Sequence, residues 1–393
     1  MPLSDLIILD MSRVLAGPYC TQLFADLGAT VWKLEPPQGD ETRGWGPPFL
    51  AGESAYYLSV NKGKESFSVN LKDSRGQDLI KKLAQKADVL VENFKVGNLA
   101  RYGLDYSSLK QHSPGLVYCS ITGFGQTGPR AKEAGYDAAM QGMTGLMSMT
   151  GEAEGEPVKV GVAVIDVLTG LHATVAILAA LHERQRTGKG KHLDISLFEV
   201  GLASLVNQVQ TTLITGQSPA RLGSAHPQLV PYQAFRAKDD YFVLAVGNDR
   251  QFAQLCQVIH EEHLAEDKRF MSNKARVENR QELIAHLSDI FEKRNKESWL
   301  TELIQAGVPA MPVNTLVEAL QDPQTEARDL IQTYSHPKAG EIATLKSPIG
   351  HMPIKAPPLL GQHSRSILKI LNLSDSYLDE LEQSGVIICS SES

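Results

Sequence analysis

Short β-branched or apolar runs alternate with helical patterns through the first third of this chain, and that alternation restricts the fold more than any other feature. Leu6-Ile7-Ile8-Leu9-Asp10 is followed by a helical pattern from Pro18 to Leu27 and then by Thr30-Val31-Trp32-Lys33-Leu34, a strand ended by Glu35-Pro36-Pro37. Ser74 to Lys86 has the spacing of an amphipathic helix and feeds Val89-Leu90-Val91-Glu92-Asn93, and Leu116-Val117-Tyr118-Cys119-Ser120-Ile121 predicts another buried strand. Strands that alternate with helices assemble parallel α/β sheets, whose ligands sit at the carboxyl ends of the strands. The α/β class and the place to look for a site therefore follow from one pattern.

With 393 residues the chain exceeds the size at which one hydrophobic core stops growing, so two domains are predicted. An apolar, Ala-rich stretch from Leu168 to Arg186 predicts a long buried helix, stopped by Thr187-Gly188-Lys189-Gly190. A strand from His192 to Leu197 and a helix from Glu199 to Thr215 follow. Beyond Gly216 the character changes to turn-rich sequence as far as Pro231, strands at Tyr232 to Phe235 and Tyr241 to Val246, and charged helices through Ala306. Residues 216–325 are therefore expected to form a smaller domain with its linkers. Residues 1–215 and 326–393 form the large one, because the Pro-rich tail carries an apolar helix, Ser364 to Leu373, that returns to it.

The net charge of -7 is spread along the chain without a Lys/Arg block, which argues against nucleic acid or a membrane surface as partner. A few local cations can still hold a small anion. Cys20, Cys119, Cys256 and Cys389 are far apart and form no Cys-x-x-Cys pair, so neither a disulfide framework nor a metal site is predicted. Free thiols, an N-terminus without a secretory pattern and the lack of an apolar run of the ~20 residues that span a bilayer together predict a cytoplasmic protein.

Gly123-Phe124-Gly125-Gln126-Thr127-Gly128 matches the dinucleotide fingerprint after a predicted strand. Pro129, Arg130 and Gly135 follow where a helix should aim its N-terminus at a pyrophosphate, which argues against a nicotinamide enzyme. Asp166 stands at the end of an apolar strand, Val158 to Ile165, just before an apolar helix. Such an aspartate either caps the helix, stabilising it by ~0.5–2 kcal/mol, or serves as a partly buried nucleophile kept ionised by the same N–H groups. The two roles share a geometry. Arg13, Lys72, Asn93, Arg101, Tyr136 and Asp137 fall at predicted strand or turn ends, where ligands bind.

Asp10-Met11-Ser12-Arg13-Val14-Leu15-Ala16-Gly17-Pro18, Val91-Glu92-Asn93-Phe94, Gly125-Gln126-Thr127-Gly128-Pro129, Gly135-Tyr136-Asp137 and Asp166 with Gly170, in that order, resemble the class III CoA-transferases. Trp45-Gly46-Pro47-Pro48-Phe49, Tyr56-Tyr57, Val230-Pro231-Tyr232 and Pro357-Pro358-Leu359-Leu360-Gly361 are most similar to the succinyl-CoA:glutarate type within that family. The resemblance implies a Rossmann-like large domain with a parallel sheet formed by both chain ends, a smaller α+β domain and an interlocked homodimer. It implies that Asp166 is catalytic and that Val14, Val69, Lys72, Asn93, Phe94, Arg101 and Tyr136 contact CoA, with Asp137 a carboxylate beside the active site. CoA thioester is then a substrate, with no permanently bound cofactor.

The chain departs from the family pattern at Pro36, where formyl-CoA transferase has an arginine stacked on adenine, and has only Ala245-Val246-Gly247-Asn248-Asp249 as a counterpart to its glycine-rich lid. Tyr136 stands where the family's racemases carry histidine, so α-proton exchange, the alternative activity, lacks one of its two bases. The implied reaction moves CoA between succinyl-CoA and a dicarboxylate such as glutarate through an aspartyl anhydride and aspartyl-CoA. Arg13, Arg43 and His226 are candidate cations for the distal carboxylate, and N–H groups after Asp166 or at Gly247 are candidate oxyanion donors.

Overall fold

The computed structural model describes residues 1–350, 353 and 355–390. The chain divides into two compact units: Met1–Leu146 with Lys159–Gln217 and the tail from Glu326, and Met147–Val158 with Ser218–Thr325.

The first unit is built on a seven-stranded sheet with strand order β14-β5-β2-β1-β6-β7-β8. The strands are β1 (Ile7–Asp10), β2 (Thr30–Glu35), β5 (Glu65–Val69), β6 (Val89–Glu92), β7 (Val117–Thr122), β8 (His192–Ser196) and β14 (Ile387–Ile388). Six run parallel, and β14 pairs antiparallel with β5, Ile387 opposite Val69. The carboxyl end of the chain thus supplies an antiparallel edge to a mainly parallel sheet, a correction to the all-parallel expectation. Between β2 and β5 lies a small hairpin, β3 (Phe49–Leu50) and β4 (Glu53–Ser54). A second hairpin, β12 (Ile331–His336) with β13 (Gly340–Leu345), precedes the tail.

Period-two alternation explains why these runs are apolar throughout. Ile8, Val31, Val89, Val91, Val117 and Cys119 enter one core with Cys20, Phe24, Ala173 and Ile177. Their neighbours Leu9, Trp32, Leu34, Leu90 and Tyr118 enter the other, with Leu79, Leu83, Ile367 and Leu378. The central strands β1, β2, β6 and β7 bury both faces, so their runs are mostly apolar.

The helices labelled here are α1 (Ala16–Asp26), α2 (Ala55–Val60), α3 (Ser74–Ala84), α4 (Tyr106–Leu109), α5 (Asp137–Met143), α6 (Val164–Thr187), α7 (Leu197–Ala203) and α8 (Val206–Thr215). Helix α6 is long and apolar enough to match a membrane span, contrary to the sequence expectation. Its face of Ile165, Thr169, Gly170, Ala173, Thr174, Ile177 and Leu181 is nevertheless buried. Gly170 permits the close seating of α6 on α1, since a Cβ there would lie 2.7 Å from the Ala16 carbonyl oxygen. The single helix expected from Glu199 to Thr215 is two, because the chain leaves helical backbone at Val206, whose φ is 37°. The helix expected to reach Leu373 ends at Lys369.

The order of strands reverses at β1. From β1 the chain builds outward through β2 and β5, then returns to the other side with β6, β7 and β8. The carboxyl ends of β1 and β6 therefore flank the crevice where open α/β sheets take ligands. Beneath it lies a buried ionic cluster. Lys64 Nζ meets Asp10 Oδ2 at 3.1 Å and Lys33 Nζ meets Asp40 Oδ2 at 2.9 Å, all with side chains 0–1% exposed. Burial alone would push the Asp10 carboxyl up, and Lys64 and Lys33 together with the hydroxyls of Ser12 and Thr21 hold it below its ordinary range.

The second unit holds a three-stranded antiparallel sheet, β11 (Ala310–Pro312), β10 (Tyr241–Ala245) and β9 (Tyr232–Arg236). Phe235, Phe242 and Leu244 pack there on Phe252, Phe291, Trp299 and Leu303 of its helices.

Replacing one partner of the buried pair leaves an uncompensated charge. Lys64→Met is expected to lower urea-unfolding stability by ~3–5 kcal/mol, and adding Asp10→Asn to recover a large part of that loss.

Candidate active site

The loop between β1 and α1 is the first wall of the site. Val14 has a φ of 70°, left-handed backbone that a β-branched residue rarely adopts. The asparagine after β6 reaches it: Asn93 Oδ1 accepts from Arg13 N at 3.0 Å, and Asn93 Nδ2 donates to Arg13 O at 2.7 Å. Glu92, one residue earlier, is 5% exposed and accepts the Phe94 N–H at 2.8 Å. Burial, with a smaller push from Asp194, raises the Glu92 carboxyl to about 7 against the hydrogen bonds it receives.

Two adjoining cavities open at these loops. One, of about 160 Å³, is lined by Arg13, Val14, Asn93, Phe94, Tyr136 and Asp166, among others. The second, of about 290 Å³, is lined by Val69, Lys72, Arg101 and Tyr102. Arg13 and Phe94 line both, so the cavities meet across this pair. All the residues expected to contact CoA are thereby gathered along one continuous wall. Pro36, the departure from the adenine-stacking arginine, lies in the second cavity with Pro37 and Gln38.

Asp166 is the third residue of α6, whose N-cap is Ala163 without a side-chain cap, and the strand expected before it is instead irregular chain with Val158 and Val162 exposed rather than packed in the sheet. The capping role expected of it falls to Asp137 instead. Asp137 Oδ1 accepts from Ile165 N at 2.8 Å and from Asp166 N at 3.1 Å, while Oδ2 takes Gln141 Nε2 at 2.6 Å. Val167 N donates to Ala163 O at 3.1 Å. The first N–H groups of α6 are thus occupied, which removes them as oxyanion donors. Freed from capping, the Asp166 carboxyl is pushed up to about 7 by burial first and then by the negative Asp137.

Other candidates are placed differently from expectation. Arg43 lies outside both cavities: Nε and Nη2 grip the two Glu35 oxygens at 2.7 Å each, and Nη2 also reaches Tyr57 Oη at 2.6 Å and Pro358 O at 3.1 Å. Its guanidinium is committed to the fold and is withdrawn as a substrate cation. Arg13 remains. Its Nη1 makes an ion pair with Glu41 at 3.3 Å, both side chains 42% exposed, and its Nε is buried without a partner among the described residues. His226 and Gly247 belong to the second unit, where the His226 ring stacks on Tyr232 and the Gly247 N–H donates to Gln251 Oε1 at 2.8 Å. The glycine-rich run Gly123–Gly128 is a turn, closed by Gln126 N donating to Asp194 Oδ2 at 2.8 Å.

In the first cavity, sequence reasoning missed Glu41, which opens a short 3-10 helix, and Lys95 and Glu133, which lie in loops with no periodicity to mark them. It also missed Tyr56, on α2. Burial first, then the charges of Asp166, Asp137 and Asp40, push its phenol up to about 12. Its ring stands edge-on to Trp45 at 5.1 Å.

The fold is a mainly parallel α/β sheet with a crevice at its topological switch point and a partly buried aspartate lining it. The chain matches the model for CoA-transferase family III over residues 3–364 and belongs to that family, as a CoA-transferase. It is 44% identical to a succinyl-CoA:glutarate CoA-transferase of Mus musculus, across 98% of this chain and 90% of that protein. It is 45% identical to a succinate–glutarate CoA-transferase of Agrobacterium fabrum, across 93% and 95%. Among solved structures, a CAIB/BAIF family protein from Brucella suis aligns with a TM-score of 0.84 and 43% identity, covering 94% of this chain and 99% of that one.

A carboxyl raised in the folded state contributes stability that is present below its unfolded pKa and is lost as pH rises through about 7. Asp166→Asn is therefore expected to melt at least ~2 °C above the wild type at pH 8, with the difference closing below pH ~4, as read by thermal unfolding at both values.

Proposed function

We propose that this enzyme moves CoA between succinyl-CoA and a dicarboxylate such as glutarate, with Asp166 as the covalent carrier. The observation that carries this is the placement of a partly buried carboxylate, pushed up to about 7, in a cavity that meets a second one lined by Lys72 and Arg101. Those two cations suit CoA phosphates, and the first cavity suits the thioester end. Arg13, at the junction, takes the distal carboxylate of the acid.

The ionised Asp166 attacks the thioester carbonyl, the C–S bond breaks, and a succinyl–aspartyl anhydride forms with CoA thiolate released. The thiolate then attacks the aspartyl carbonyl, succinate leaves, and aspartyl-CoA remains. Glutarate attacks this thioester to form the second anhydride, and the thiolate takes the glutaryl group, which restores the Asp166 carboxylate. Each anhydride must be shielded from water. Burial, which opposes ionisation of Asp166, also strips its carboxylate of solvent before attack. Tyr136 in place of an imidazole leaves α-proton exchange without its second base.

We further propose a cytoplasmic, interlocked homodimer. Three of the four free thiols are buried, which suits a reducing compartment. Helix α8 buries no residue, and its Val206, Leu213 and Ile214 are 71–75% exposed, an apolar surface suited to a second copy.

The test offers succinyl-CoA with a panel of dicarboxylic, hydroxy and monocarboxylic acids and identifies the new thioester by mass. Glutaryl-CoA is expected as the favoured product, with at least ~10³-fold loss in Asp166→Ala. Full activity in that variant would sink the mechanism, and preference for a monocarboxylate would sink the substrate assignment. The kcat/KM of the wild type is expected to rise with pH through an inflection near 7. Asp137→Asn keeps an acceptor for the α6 N–H groups but removes the neighbouring charge, and should move that inflection to lower pH.

A further inference from the structure

We infer that Asn93 is a positioning residue for the β1–α1 loop: its carboxamide holds the peptide units on either side of Arg13 and so keeps Val14 in the left-handed backbone that shapes the junction of the two cavities. This rests on the proposed use of those cavities for CoA. It goes beyond the family expectation, in which Asn93 counts as a contact to CoA itself.

The geometry carries the assignment. Oδ1 accepts from Arg13 N and Nδ2 donates to Arg13 O, so the side chain uses its acceptor and one of its two donor hydrogens on a single backbone residue. This is the pairing two strands would exchange, supplied here by a side chain 80 residues away in sequence. The next residue is Val14, whose φ of 70° costs energy for any side chain bearing a Cβ, most of all a branched one. Such a conformation persists only where neighbours over-determine it.

The rest of the loop is held from below. Asp10 Oδ1 accepts Ser12 N at 3.0 Å and Ser12 Oγ at 2.5 Å, and Lys33 Nζ donates to Ser12 O at 3.2 Å. On the other flank, α1 begins at Ala16 and Tyr19 N donates to Leu15 O. Between these anchors only Arg13 and Val14 lack support from their own neighbourhood, and Asn93 acts there. Because Arg13 lines both cavities and Val14 lines the one with Asp166, a change in this short stretch alters where the thioester rests. Asp166 itself is held by Asp137 on different elements, so releasing the loop should weaken binding more than chemistry.

The experiment is a double-mutant cycle between Asn93→Ala and Val14→Gly, read as KM for succinyl-CoA, kcat, and calorimetric affinity for free CoA. Asn93→Ala is expected to raise KM for succinyl-CoA roughly tenfold while kcat stays within ~3-fold. Glycine carries no penalty at positive φ, so in the Val14→Gly background the same Asn93→Ala change should cost clearly less. An equal cost in both backgrounds would mean that Asn93 contacts CoA directly and would overturn the proposal, as would an unchanged KM. The cycle can be run with Asn93→Ser should Asn93→Ala fail to fold. A wild-type chain that binds CoA but transfers nothing would refute the transferase mechanism while the affinities still decide the role of Asn93; one that binds no CoA would overturn both.

Discussion

Two carboxylates placed side by side at one helix terminus are the constraint on which this site depends. Asp137 takes the N–H groups of Ile165 and Asp166 that the helix dipole leaves pointing outward, and thereby fixes where α6 begins. The N–H groups that Asp137 takes are no longer available to stabilise the Asp166 carboxylate, and the Asp137 charge opposes the ionisation of its neighbour. The like-charge contact and the burial act in the same direction and together raise the Asp166 carboxyl to about 7. An enzyme that needs a reactive carboxylate gains from this, because a poorly solvated anion is a better nucleophile than one surrounded by donors.

The second half of the site follows from topology. Reversal of strand order at β1 leaves the loops after β1 and β6 without a strand between them, and their side chains meet across the gap. Asn93 spans it with two hydrogen bonds, while the ionic cluster of Asp10, Lys33, Lys64 and Asp40 sets the floor. These buried charges would be costly singly, and their mutual pairing with Ser12, Thr21 and Thr42 satisfies them. The same network that supports the first core therefore also aligns the loop that lines both cavities.

Much of this was legible in the sequence because it depends on burial. Strands such as Leu6–Asp10 and Val89–Asn93 are apolar on both faces, which only a covered parallel sheet explains, and the polar residues at their ends mark the crevice. The strand Glu65–Val69 was not legible. Its sequence Glu-Ser-Phe-Ser-Val carries serines that are buried with Glu35, Gly361 and Ser364 bonding them, partners up to 296 residues away. Asp166 was found by its position, yet the capping role assigned to it belonged to Asp137, since a cap supplied from another helix leaves no local pattern. Arg43 illustrates the converse, a cation near the right motifs whose partners Glu35 and Tyr57 become visible only in three dimensions. Tyr56 was present in the motifs, but its relation to Asp166 depends on where α2 packs.

The central claim is that the acyl group passes through Asp166. Incubation with succinyl-CoA, quenching with hydroxylamine and peptide mass mapping test it directly, because hydroxylamine converts an aspartyl anhydride or aspartyl thioester to a hydroxamate. The account predicts a hydroxamate on the peptide containing Asp166, dependent on the CoA thioester and absent without it. Turnover with that peptide unmodified, or with the hydroxamate on Asp137 or Glu92 instead, would contradict it.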